Sequence, residues 1–279
     1  LLGFIQMKKR PPSTTPSPID RADLIRRWLT AADDPRYTTF PCTVLSEAAG
    51  VRGAVEKPLS ETVFIHHTDP AIARKKLVRL GYPKLSEALD RRPKAHNTRM
   101  GNFGEVVASE FLRQLRGYEI PIYRLRYNMN DESSPKGDDV LAFEFADPKR
   151  GAKDTVIVAE VKVRGEFKSD AVTEAHNALR KGFRPRPKSF PFVVEILYKE
   201  GRDQEAEKLL DLSQKFGKRS LVRKSCLFLV TEKVPTDPFG ALTKYKRLAP
   251  NLEAVHLSLG KLSAFVDTVF EAEVDVDGL

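Results

Sequence analysis

A chain of 279 residues, 41% of them hydrophobic and 30% charged, can bury a substantial core as one large domain or as a catalytic domain with a smaller appendage. Its 47 Lys and Arg against 38 Asp and Glu leave a formal net charge of +9, which favours polyanionic partners because cations near phosphates release condensed counterions. No apolar run approaches the roughly 20 residues that cross a bilayer, and the two cysteines, Cys42 and Cys226, stand in no CxxC pair, which argues against a membrane protein and against a structural zinc site.

The opening Leu1 to Gln6 is too short for a signal-peptide core, so a soluble cytoplasmic protein is expected. Residues 1–19 read as a disordered basic, Pro-rich leader. From Ile19 a helical pattern begins, with Asp20 placed to cap it and Leu24, Ile25, Trp28 and Leu29 on one stripe. That stripe either packs on the core or docks a partner. Thr62 to His66 reads as a strand, and Asp69-Pro70 opens a helix that Gly81 ends. Residues 20–95 are taken as an N-terminal accessory region and 96–279 as the catalytic domain.

The second part is more regular. Asn102 to Arg116 reads as a helix with Phe103, Val106, Val107, Phe111 and Leu115 on one side, closed by Gly117. Pro121 to Tyr127 has strand character, Val140 to Phe145 forms a second strand after a polar turn, and Thr155 to Val163 a β-branched third. A helix from Ser169 to about Lys181 follows. Beyond it come helices at 190–199 and 203–216, strands at 225–231 and 252–259, and a last helix at 261–271. Cys226, in an apolar run, is a small core hydrophobe. The fold class is α/β with an antiparallel start to the sheet.

Alternation along the strand Thr155 to Val163 puts Glu160 and Lys162 on one face with Val156 and Val158. A carboxylate and an ammonium amid such apolar neighbours are costly to bury without a purpose or a partner. A hairpin from the preceding strand brings Asp139, or its neighbour Asp138, beside Glu160. Two carboxylates and a lysine suit phosphodiester hydrolysis: the acids hold a hard cation such as Mg²⁺, with Mn²⁺ able to substitute, and the lysine orients water and offsets developing charge. The opposing interpretation is a Glu160–Lys162 salt bridge on a half-exposed strand. Glu166-Phe167-Lys168 repeats the spelling in a loop and is assigned no role.

These elements resemble the PD-(D/E)xK nuclease superfamily, whose restriction-endonuclease-like core runs helix, three strands, helix, strand. The resemblance implies that Asp139 and Glu160 ligate the metal, that the Val161 carbonyl is a further ligand and that Lys162 is catalytic. It also implies a glutamate from the first helix, carried to Glu105 in Gly101-Asn102-Phe103-Gly104-Glu105, with Glu110 as the rival. Lys136-Gly137-Asp138-Asp139 stands where the superfamily's name calls for Pro-Asp. Taken with Ala159-Glu160-Val161-Lys162, these motifs are similar to the nuclease subunits of Hachiman anti-phage defence systems, which implies a DNA-cleaving effector working with a superfamily-2 helicase.

Arg180, Lys181, Arg184, Arg186 and Lys188 form a basic run after this core, read either as a phosphate clamp or as an ordinary basic loop. His66-His67 with Asp69 has metal-like letters but reads as a loop-end pair of polar residues, and His176 as facing either the cleft or solvent. No Walker motif, dinucleotide loop or Ser-His-Asp arrangement occurs. The alternative function is a nucleic-acid-binding or scaffolding subunit with a nuclease-like fold that does not cut.

Overall fold

The β-branched segment Asp154–Arg164 forms the long strand β4, and the rest of the molecule is arranged around it. The structure is a computed structural model that describes residues 19–80, 90–128, 130–132, 137–146, 152–182, 186–276 and 278–279. Among these residues β4 belongs to a six-stranded sheet with β1 (Leu29–Asp33), β2 (Cys42–Glu47), β3 (Val140–Glu144), β5 (Leu221–Thr231) and β6 (Leu252–Ser258). The order is β1-β2-β6-β5-β4-β3. The four inner strands run parallel, and β1 and β3 pair antiparallel at the two edges.

Parallel strands are buried on both faces, which explains why β4 and β5 are apolar on both sides. One face carries α1 (Leu24–Trp28), α2 (Arg52–His67), α4 (His96–Gln114) and α8 (Leu262–Glu271), whose Leu24, Val63, Phe103, Phe111 and Val266 pack with Ile157, Ala159 and Phe228 of the sheet. The other carries α5 (Ser169–Gly182), α6 (Phe190–Lys199) and α7 (Asp203–Ser213), whose Leu179, Val193, Leu197 and Leu209 pack with Val156, Val158, Leu227 and Leu229. A further helix, α3 (Pro70–Leu80), follows Asp69, whose carboxylate accepts the N–H of Ala71 at 2.8 Å. Among the described residues no helix is long and apolar enough to cross a membrane.

The helices read at 102–116, 169–181, 190–199, 203–216 and 261–271 and the strands read at 140–145, 155–163, 225–231 and 252–259 all form, with ends displaced by up to six residues, the most at the start of α4. Asp20 caps the first turn by accepting the N–H of Ala22. Leu24, Ile25 and Trp28 are fully buried, so this stripe packs on the core and offers no docking surface. Leu29, counted in the same stripe, instead begins β1. Gly117 follows α4 with φ +73°, the left-handed turn for which glycine is suited. Cys226 is buried in the sheet, as expected.

Three readings are corrected. Thr62 to His66 is the last part of α2, not a strand. Val55, Leu59 and Val63 recur every four residues and are all buried, so tertiary packing overrides the β-branched local preference. Pro121 to Tyr127 is not a strand either. Glu119 and Phe143 exchange both backbone hydrogen bonds, but Pro121 has no N–H with which to continue, and the chain turns into a 3₁₀ segment at Arg124–Tyr127. His176 is neither in the cleft nor exposed: it is buried, and its Nε2 accepts the N–H of Ala249 at 3.1 Å.

The segment read as accessory contributes β1 and β2 to the common sheet. Residues 1–18, Gly81, Lys136, 147–151 and Arg184 lie outside the described residues.

Candidate active site

β3 and β4 pair from Val140↔Ala159 onward, so β4 outruns its neighbour by the five residues Glu160 to Arg164. The antiparallel register places Asp139 opposite Glu160 at this free edge. Asp139 turns in and its Oδ2 accepts the N–H of Val161 at 2.7 Å. The N–H and C=O of one strand residue point to the same edge, so the Val161 carbonyl faces the Asp139 side as well. Glu160 and Lys162 share the α5 face, and Lys162 Nζ donates to Glu160 Oε1 at 2.9 Å. Both side chains keep about a fifth of their surface exposed (17% and 20%), so the pair opens onto solvent from an otherwise apolar strand.

Asp138 and Asp139 have different jobs. Asp138 accepts the N–H of Ser189 at 2.8 Å and returns its own N–H to Ser189 Oγ, which fastens the turn to the start of α6. The backbone there passes so close to its neighbours that a Cβ on Gly137, already at φ +129°, would stand 2.5 Å from Ser189 Oγ. Asp139 is left for the free edge.

Glu105 reaches the same edge from α4 on the opposite face. The close approach depends on Gly104, where a Cβ would lie 2.4 Å from Val163 Cγ2 and 2.8 Å from Val161 Cγ1. With hydrogen alone at that position, α4 lies against β4 and Glu105 lines a pocket with Asp139, Arg124 and His66. Glu110 is committed elsewhere. It is buried, bonded to His66 at 3.0 Å, Gln114 at 2.8 Å and Arg113, and burial, which alone would raise its pKa, is outweighed by the His66 and Arg113 hydrogen bonds that hold it at about 2. His66 stacks on Tyr123 at 3.7 Å, and His67 accepts from Asn102 at 2.9 Å. Both histidines are thus buried helix-end residues, and burial lowers the pKa of each. That corrects their reading as a polar pair.

Arg124 escaped the sequence reading. Its guanidinium is buried beside the site, donates to the Asp139 carbonyl at 3.3 Å and lowers the pKa values of both Glu105 and Asp139 by its charge. The signal, an arginine inside a segment with strand character, resembles many surface arginines. Of the basic run, Arg180, Lys181, Arg186 and Lys188 are exposed. Gly182, at its start, lies near Asp138, where a Cβ would stand 3.7 Å from Oδ1.

Electrostatically the three acids form one group. Burial, and then the charge of Asp139, raises the pKa of Glu105 to about 8, and the same two causes raise that of Glu160. Asp139 is itself raised by burial, against the Val161 hydrogen bond and the charges of Lys162 and Arg124. Among the described residues no three His, Cys, Asp or Glu side chains stand close enough together to hold a metal ion as placed, and Glu160 is turned onto Lys162. By chemistry the donors Asp139, Glu160, Glu105 and the Val161 carbonyl fit a hard divalent cation: all are oxygens, and a dication relieves the repulsion that raises their pKa values.

A consequence can be measured without metal. The folded pKa of Glu105, about 8, lies above the ordinary 4.5, so the native state holds this proton more tightly than the unfolded chain does. That contribution is full below 4.5 and is lost as pH rises through 8. In EDTA, the melting temperature of the native sequence should fall between pH 5 and pH 8.5, and Glu105→Gln should fall less. Parallel decline of both proteins would contradict a buried, repelled Glu105.

The fold and site define a class first: a mixed α/β protein with an acidic cluster and a lysine at the free edge of its sheet. The chain belongs to the HamA family, whose model matches residues 39–272. It is 32% identical over 192 residues to the Hachiman protein HamA of Bacillus cereus, an alignment covering 68% of this chain and 66% of that relative's length.

Proposed function

We propose that this protein is a divalent-metal-dependent DNA nuclease acting in a Hachiman-type anti-phage defence system together with a helicase. The observation that carries the catalytic reading is the join at the free edge of β4, where Asp139 bonds to Val161 between Glu160 and Lys162. A restriction-endonuclease-like core is the finer description of the fold under this reading. Family membership and the name of the Bacillus cereus relative support the defence role.

The chain's own residues divide the work. Asp139, Glu160, Glu105 and the Val161 carbonyl would hold Mg²⁺, which supplies Lewis acidity toward a phosphodiester and a nucleophilic water at neutral pH. Lys162 orients the attacking water and offsets charge that builds on the non-bridging oxygens. Arg124 keeps a permanent positive charge beside the buried acids and fixes the Asp139 backbone. The Glu160–Lys162 ion pair also suits a resting state, in which both groups satisfy each other until substrate or partner separates them.

Purified protein should convert supercoiled plasmid to nicked or linear product in Mg²⁺ or Mn²⁺ and not in EDTA, with the rate rising when a co-expressed partner helicase and ATP are added. Intact plasmid in every metal, with and without the helicase, would leave a DNA-binding subunit that does not cut.

A further inference from the structure

The segment after β5 brings a second group of cations to the end of α5. A 3₁₀ turn at Gly240–Lys244 anchors on the buried Leu242 and leads into Tyr245-Lys246-Arg247. Tyr245 holds this stretch against α5 at three points: its ring edge meets His176 at 4.2 Å, its hydroxyl meets Asn177 at 3.4 Å, and Arg180 lies over it at 5.9 Å. The Ala249 N–H donates to His176 on the far side, so residues 246 and 247 are bracketed by contacts to one helix. Lys244, Lys246 and Arg247 are exposed, as are Arg180 and Lys181 at the end of α5 and Lys188 just before α6. Among the described residues none of the six forms an ion pair with an acid. Ser189, just before α6, is bonded to Asp138, one residue from the candidate ligand Asp139.

We infer that Lys244, Lys246 and Arg247 join Arg180, Lys181 and Lys188 in one phosphate-gripping face for a nucleic-acid strand that leads to the free edge of β4. The inference rests on the nuclease reading for its orientation, and the charge arrangement supplies the rest. Cations on two separate segments, tied by a shared aromatic ring, give a surface broad enough to meet successive phosphates, whereas a single loop meets one or two. The contacts are to backbone phosphate, so the face positions nucleic acid without reading its sequence.

The test is binding of a fluorescent 30-base-pair duplex to the full chain in EDTA, where nothing is cut, over a series of salt concentrations. Neutralising Lys244, Lys246 and Arg247 to Gln should lower the slope of log K against log salt by about 2 to 3, since each phosphate contact contributes about 0.9. Affinity near 100 mM salt should fall at least about tenfold. Arg180→Gln with Lys181→Gln should lower the slope by a further 1 to 2, as expected for one continuous face. Lys218→Gln with Arg219→Gln, exposed cations on another turn, should leave the slope unchanged. An unchanged slope in the 244–247 variant, or an equal loss in the 218–219 control, would overturn the inference. A chain that binds through this face yet leaves plasmid intact in Mg²⁺ contradicts the nuclease reading alone. One that cuts plasmid with a slope insensitive to 244–247 contradicts this inference alone.

Discussion

Lys162→Met should slow metal-dependent DNA cleavage by about 10²- to 10³-fold, with most of the loss in kcat and little in KM for DNA. The ammonium lies on the strand face of Glu160, within 2.9 Å of it, at the edge where Asp139 enters. In the ground state that charge is already satisfied by Glu160, so its removal disturbs substrate binding little. Under the proposed mechanism, the charge would meet oxygens that become more negative in the transition state. Methionine keeps an unbranched apolar stem, so the strand should stay packed. The pair is partly exposed, and its loss should cost at most about 1 kcal/mol of stability. Lys162→Arg should rescue poorly, because a planar guanidinium does not reproduce the compact ammonium that donates to Glu160. A Lys162→Met protein with native kcat would remove the lysine from the chemistry.

Gly104→Val should disturb the packing at the site directly. Even a Cβ alone would come within 2.4 Å of Val163 and 2.8 Å of Val161, so α4 must move away from β4. Overpacking of this kind costs about 1 to 3 kcal/mol, and valine adds β-branching inside a helix. At about 2 to 4 °C per kcal/mol for a domain of this size, the melting temperature should fall by roughly 2 to 12 °C. Cleavage should fall further than stability does, because the displaced helix carries Glu105 away from Asp139. Gly104→Ala should behave as a milder case. Its defect should be partly reversed by Val163→Ala, which removes the Cγ2 that the new methyl strikes, giving a coupling energy between positions 104 and 163. Full stability and activity in Gly104→Ala would contradict the close helix–strand contact.

The strand bearing Glu160 and Lys162 was legible because burial writes itself into a period of two, and a charged pair within that period stands out. The pairing of Asp139 with its edge was legible too, since a short connection between adjacent strands leaves few registers. The helix carrying Glu105 was readable from its apolar stripe. The different surroundings of Glu105 and Glu110 were not, because they depend on partners such as His66 that approach from α2, 44 residues away. The same distance effect hid α2 itself, where Thr62, Val63 and Ile65 favour a strand locally and only the surrounding core enforces a helix. Pro121 ended a strand that its neighbours Ile122 and Tyr123 appeared to support. β1 and β2 passed unread because β1 is a short edge strand with four of its five residues exposed and thus carries no hydrophobic alternation. Arg124 and Tyr245 gain their meaning only from what the fold sets beside them.

The most direct test uses the chain's own duplicate. Glu160-Val161-Lys162 and Glu166-Phe167-Lys168 have the same spelling six residues apart, yet the first lies in β4 beside Asp139 and the second follows the strand's end at Arg164. Glu160→Gln and Glu166→Gln proteins, matched for thermal stability, are each incubated with supercoiled plasmid in Mg²⁺, with the helicase and ATP if the native chain requires them. Cleavage should disappear in Glu160→Gln and proceed at the native rate in Glu166→Gln. Native-rate cleavage by a correctly folded Glu160→Gln protein would contradict the assignment of the active site to the free edge of β4.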